Sequence, residues 1–191
     1  MKHTLCKMRY LVLHGYYQSA DIIRKKIKGL FPKVNLIIPN GPLKVEDDKY
    51  GWFPLNKIDL VNGDITIDET DISTVLDHNL QISPNYFDGV IAFSQGCLAA
   101  AVLLGSGKIS TSKLLLFSPI PIPKVSWNYT LPSGITCRLY VGKDDTLVSN
   151  ELSLEFIPAL GNNEVDIIEH RWGHVIPTTQ QYKLEYSIFF Q

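Results

Sequence analysis

Ser94, Asp145 and His174 are the residues whose types and chain order could carry out chemistry. A serine hydroxyl is a poor nucleophile near neutral pH. It needs a histidine base within hydrogen-bond reach and an acid that holds that histidine in one tautomer. Ser94 lies where the apolar run Gly89-Val90-Ile91-Ala92-Phe93 passes through Ser94-Gln95-Gly96 into residues 97–104, which are apolar on all sides. When a strand delivers a serine into a helix this way, the hydroxyl sits at the tip of a strained turn, and the residues two before and two after it must be small. Ala92 and Gly96 satisfy this, although Ala92 adds a methyl where glycine is usual. Serine is also a favoured helix N-cap. The pentapeptide by itself therefore does not separate a nucleophile from a cap, and its partners must.

In folds built on such an elbow the acid and base follow the serine in that order. The apolar run 135–141 exits into Gly142-Lys143-Asp144-Asp145-Thr146, where a strand end delivers an acid; Asp145 is favoured and Asp144 is the alternative, aspartates at strand ends being common turn residues. The run 165–168 leads to Glu169-His170-Arg171-Trp172-Gly173-His174, and His174 is placed as a loop-borne base. His170 still belongs to the strand end and reads as structural. Two backbone N–H groups should face the developing oxyanion: Gln95, directly after the nucleophile, and Tyr16, with Tyr17 behind it, in the loop His14-Gly15-Tyr16-Tyr17 after the first strand. His14 is expected to order that loop, and Cys97 to be a packed small hydrophobe and no nucleophile. His3 and His78 have no partner pattern.

The elements that position these residues read as an α/β fold. Apolar runs at 10–13, 34–38, 90–93, 114–117, 135–141 and 165–168 are mostly continuous, as expected of parallel strands buried on both faces. Residues 19–30 form an amphipathic pattern with apolar Ile22, Ile23, Ile27 and Leu30; further helices are expected at 97–104, 151–160 and 178–190. Residues 40–83 are acidic and rich in turn residues, and read as a short cap or lid at the strand ends. Within them Trp52 and Phe53, with Tyr17 from the first loop, are candidates to line a substrate pocket; the alternative for the two cap aromatics is to seal the cap onto the sheet. Apolar Ile188, Phe189 and Phe190 suit either the core or a contact with another chain.

A chain of 191 residues, 45% hydrophobic and 19% charged, suits one domain spanning 1–191. Its formal net charge of -1 argues against nucleic acid as a partner. Cys6, Cys97 and Cys137 are too few and too scattered for a disulfide framework or a metal cluster, which favours a reducing, cytoplasmic setting. No signal peptide or membrane span is expected. The first loop lacks the glycines of a nucleotide-binding turn.

Four segments in order resemble the FSH family of serine hydrolases, which has fungal members and metazoan ovarian-cancer-associated esterases. They are Leu-His-Gly-Tyr-Tyr-Gln-Ser at 13–19, Tyr-Gly-Trp-Phe at 50–53, Phe-Asp-Gly-Val-Ile-Ala-Phe-Ser-Gln-Gly at 87–96 and Trp-Gly-His-Val-Ile-Pro at 172–177. The resemblance implies a single-domain α/β-hydrolase fold and an ester or thioester substrate cleaved through an acyl-serine. It puts Ser94, Asp145 and His174 on the family's triad positions, and implies no metal or organic cofactor. Ala92 and Trp172 depart from a pattern that has glycine at both places; they are the support for the rival reading, a catalytically weakened hydrolase-fold binding module.

Overall fold

The six apolar runs become six parallel strands of one sheet: β1 (Arg9–Leu13), β2 (Asn35–Ile37), β3 (Gly89–Phe93), β4 (Lys113–Phe117), β5 (Thr136–Gly142) and β6 (Val165–His170). The computed structural model describes residues 8–32, 34–78, 80, 85–124 and 127–191; His3 and Cys6 lie outside them. Strand order is β6-β5-β4-β3-β1-β2, with Leu13 beside Ala92 and Ala92 beside Leu116. The chain leaves β1 for β2 on one side and returns to β3 on the other. The loops after β1 and β3 therefore diverge at a topological switch point, where doubly wound sheets place their ligands.

Alternation along the strands divides the core into two layers. Leu11, Leu13, Val90, Ala92, Leu114 and Leu116 face one layer, completed by α2 (Glu69–Asp77) and α3 (Gln95–Gly105). Tyr10, Val12, Ile91, Phe93, Leu115 and Phe117 face the other, covered by α1 (Ala20–Lys26) and α5 (Gln180–Phe189). Helix α3 is buried from Gln95 to Leu104, in keeping with its lack of a polar face. Burial of each large apolar side chain in these layers contributes about 2 kcal/mol.

Two expectations are modified, and at the C-terminus one of two open alternatives is taken up. The helix read at 151–160 is broken into α4 (Asn150–Leu154) and a 3-10 turn (Ile157–Leu160), because Pro158 has no N–H to continue the ladder. The stretch read as a cap, 40–83, is largely body: Trp52, Phe53, Ile65, Ile67, Ile72, Val75 and Leu80 join the α3-side core. Here α2 is started by a capping box between Asp68 and Asp71 and packs on α3. Residues 79 and 81–84 of that stretch are outside the described set. At the C-terminus, Phe189 and Phe190 pack into the second layer, Phe190 at 4.3 Å from the Tyr10 ring, while Ile188 is exposed. Among the described residues no helix is long and apolar enough to cross a membrane.

A close contact between elements is where α3 starts over the end of β1. A Cβ on Gly96 would stand 2.3 Å from the Leu13 carbonyl oxygen and 2.6 Å from that of His14, both backbone atoms that have no rotamer to yield. Gly96→Ala is expected to cost roughly 3 kcal/mol of folding stability, read as a lowered urea midpoint at unchanged slope. Native-like stability in this variant would show that helix and strand can separate freely.

Candidate active site

Ser94 stands between β3 and α3 with φ 54° and ψ -122°, a left-handed conformation that costs a non-glycine residue on the order of 1–3 kcal/mol. It is held there by neighbours on both sides. Its N–H donates to Phe117 O of β4 at 2.9 Å, and its carbonyl accepts from Cys97 N–H at 2.9 Å. The side chain makes no capping hydrogen bond to α3, which removes the bland role a serine at a helix start usually has. The neighbouring Cys97 is fully buried, and burial pushes its thiol far up, as expected of a packed hydrophobe.

Asp145 and His174 are brought together by two loops at the carboxyl ends of β5 and β6. Asp145 Oδ2 accepts from His174 Nδ1 at 2.7 Å, and Oδ1 accepts from the N–H groups of Leu147 (3.0 Å) and Val148 (2.9 Å). Burial pushes this carboxyl up, but the hydrogen bonds from His174 and Val148 outweigh it and the net shift is downward, so it stays ionised at neutral pH. Asp144 is exposed and points no side-chain bond at His174. The two loops touch at Gly142, where a Cβ would stand 2.3 Å from Trp172 O and 2.6 Å from Gly173 O. With Nδ1–H committed to Asp145, Nε2 is the basic nitrogen of His174, and its ring lies 4.9 Å from that of Phe93, the residue before Ser94. His170 ends β6, buried beside Trp172 and Tyr182, and burial lowers its pKa.

The loop after β1 is fixed by a network that the sequence pattern did not reveal. His14 is fully buried; its Nδ1 donates to Gly15 O at 2.7 Å and its Nε2 accepts from Gly41 N–H at 3.0 Å, so it orders the loop. Gly15 N–H donates to Gln18 Oε1 at 3.2 Å, and Gln18 pairs with Tyr50 through a two-residue bridge. The side chain of Gln95 clamps the next residues. Its Oε1 accepts from Trp52 N–H at 2.7 Å and its Nε2 donates to Phe53 O at 2.8 Å. The sequence pattern points only to the backbone N–H of Gln95, which, as the first of α3, has no intrahelical acceptor. A polar side chain at the head of an all-apolar helix was the available signal.

Two pocket candidates are corrected. Trp52 and Phe53 have no exposed surface and belong to the core, Trp52 Nε1 donating to His14 O at 2.9 Å, so neither side chain faces a ligand. Tyr17 is exposed and has φ 58°, and its hydroxyl donates to Glu46. The cavity beside the site lies elsewhere: about 370 Å³, walled by Phe93, Trp172, Val175, Ile176, Pro177 and Lys26. Ser118, for which the sequence pattern carries no signal, follows β4 with φ 41°, and its buried hydroxyl has no partner among the described residues.

An ionised acid bonded to a loop-borne imidazole, beside a strained serine at a strand-to-helix turn on a parallel sheet, is the arrangement of an α/β-hydrolase. The model of the serine hydrolase (FSH1) family matches residues 1–186, and the chain belongs to that family; it is a serine hydrolase. It is 23% identical to Esterase OVCA2 of Xenopus tropicalis, over 95% of this chain and 91% of that one. It is 27% identical to Esterase GA18864 of Drosophila pseudoobscura pseudoobscura, over 97% of this chain and 71% of the other. Among solved structures, the Bacillus cereus carboxylesterase superposes with a TM-score of 0.69 at 18% identity, covering 96% of this chain and 87% of that one. For Arabidopsis thaliana SOBER1 the values are 0.67 and 16%, covering 97% and 98%. These two likenesses show the shared fold.

Burial lowers the pKa of His14 from 6.5 to about 4, the Gly15 carbonyl opposing the shift, so the unfolded chain takes up a proton that the folded protein refuses between those values. Stability from this neutral histidine is complete above pH 6.5 and is lost as pH falls toward 4, in total on the order of 3 kcal/mol. The stability difference between the native protein and His14→Gln, from denaturant unfolding, is therefore expected to shrink by about that amount between pH 7 and pH 4. A constant difference across that range would show that His14 does not carry this linkage.

Proposed function

We propose that the chain hydrolyses a carboxylic ester or thioester through an acyl-serine intermediate, with Ser94 as nucleophile, His174 as base and Asp145 as its orienting acid. The observation that carries this reading is the 2.7 Å bond from His174 Nδ1 to a doubly anchored Asp145, on loops that end beside the strained Ser94 turn. The esterase names of the two relatives support the choice of ester chemistry.

Ser94 Oγ attacks the substrate carbonyl carbon as His174 Nε2 takes the hydroxyl proton. The carbonyl oxygen becomes an oxyanion facing the N–H groups of Gln95 and Tyr16. The proton then passes from His174 to the departing alkoxide or thiolate as its bond to carbon breaks. Water repeats the sequence: His174 removes its proton, the acid product leaves, and the proton returns to Ser94. Asp145 holds the tautomer and stabilises the imidazolium at each stage. The one-domain organisation and the cytoplasmic setting belong to the same reading; the latter is supported by Cys97 and Cys137, both buried free thiols.

A fluorophosphonate probe and short aryl esters test the assignment. The native protein is expected to be labelled and Ser94→Ala is not, with kcat/KM falling roughly 1,000-fold or more in Ser94→Ala and in His174→Ala. Asp145→Asn is expected to lose about 100-fold or more and Asp144→Asn less than about threefold. Folded native protein that takes no Ser94-dependent label would favour the binding-module reading. A greater loss in Asp144→Asn would reassign the acid.

A further inference from the structure

The cavity beside His174 has mostly apolar walls, with Thr178 and Thr179 and one charged group, Lys26, from the last turn of α1. Arg24 and Lys25 stand in the same turn, where cations complement a helix C-terminus. Of the three, only Lys26 lines the cavity. Its Nζ lies 5.9 Å from the centre of the Phe93 ring, the same ring that meets the His174 imidazole at 4.9 Å. The ammonium and the proposed base thus sit on one phenyl group, beside the nucleophile.

Among the described residues no carboxylate answers Lys26 with an ion pair. A second cation, Lys49, stands close by, with its Nζ 5.5 Å from the ring of Tyr17 in the oxyanion loop. A carboxylate of that loop's neighbourhood, Glu46, accepts from the Tyr17 hydroxyl. Burial, followed by repulsion from Lys49, lowers the pKa of Lys26. Lys26 is exposed, and an ammonium that also faces a like charge gains from an anion supplied by a ligand.

We infer that the substrate's acyl group ends in a carboxylate, which crosses the apolar cavity from the scissile carbonyl to meet Lys26, with Lys49 adding to the attraction. Phe93, Val175, Ile176 and Pro177 take the methylene segment between the two ends. This deepens the proposed hydrolase reading and rests on it. The preference it sets is between a half-ester of a short dicarboxylic acid and the neutral ester of the same length.

The experiment measures kcat/KM for 4-nitrophenyl half-esters of glutaric and adipic acid against the matched neutral pentanoate and hexanoate. The anionic-to-neutral ratio is internal to each protein sample, so it does not depend on the fraction folded. The native ratio is expected to exceed one and to decline with added salt. It is expected to fall about tenfold in Lys26→Met, about threefold in Lys49→Met, and to be largely retained in Lys26→Arg. A ratio below one, or one unmoved by Lys26→Met, overturns the inference. So does a Lys26-dependent preference for acyl-coenzyme A over the matched neutral thioester that the half-esters do not share, since the anion would then belong to the leaving group. Absence of Ser94-dependent turnover of the neutral esters would be a different failure, that of the hydrolase reading itself.

Discussion

The first turn of α3 crosses the backbone of Leu13 and His14 at a distance that leaves no room for a single methyl group on Gly96. This crossing places the loop after β1 and the turn after β3 side by side, and the rest of the site is arranged around it. Because the helix starts so close to the strand, the chain must reverse at Ser94 in a conformation that a side chain rarely adopts. The strain is held by the bond from Ser94 N–H to Phe117 O and by a helix with no face turned to water. Local strain at the site is thus sustained by the two buried layers beneath it.

Around that crossing, charge is divided unequally. On the side of the first loop, a neutral imidazole, amide groups and backbone atoms satisfy one another, and His14 is kept uncharged by burial. On the other side, Asp145 is kept ionised by two N–H groups and His174. A neutral donor framework beside an ionic pair suits a reaction in which charge appears on a substrate oxygen while a proton moves to an imidazole. A charged His14 would perturb both halves.

Much of this was legible in the sequence, for reasons that differ by element. The strands showed because burial on both faces demands unbroken apolar runs, and the elbow showed because close approach demands Gly96 and a small residue at Ala92. Spacing favours Asp145 over Asp144 only weakly, and the geometry supplies the reason: neighbouring aspartates at a strand end point in different directions, and one of them turns inward to two backbone donors. Trp52 and Phe53 misled because an aromatic pair in a turn-rich stretch has the same composition whether it faces a ligand or the core. The stretch 40–83 looked loose because its apolar residues are spaced along turns and short pairings, and no single period joins Ile65, Ile67, Ile72 and Val75. Lys26 was hidden among the basic residues of α1, since which of them meets a cavity depends on the loop 172–179 that closes over it.

The amide of Gln95 makes its hydrogen bonds to Trp52 and Phe53 through their N–H and carbonyl groups. Such a contact reads the course of the main chain and is blind to side-chain identity. Phe53 can therefore be exchanged for another residue of similar bulk, as far as the layer beneath it permits, while the grip on the head of α3 persists; Trp52 is held further by the bond from its Nε1 to His14 O. Gly51 has no such freedom, since a methyl there would strike the Tyr16 ring at 2.8 Å. The stretch beside the elbow is thus bound first of all to keep its path.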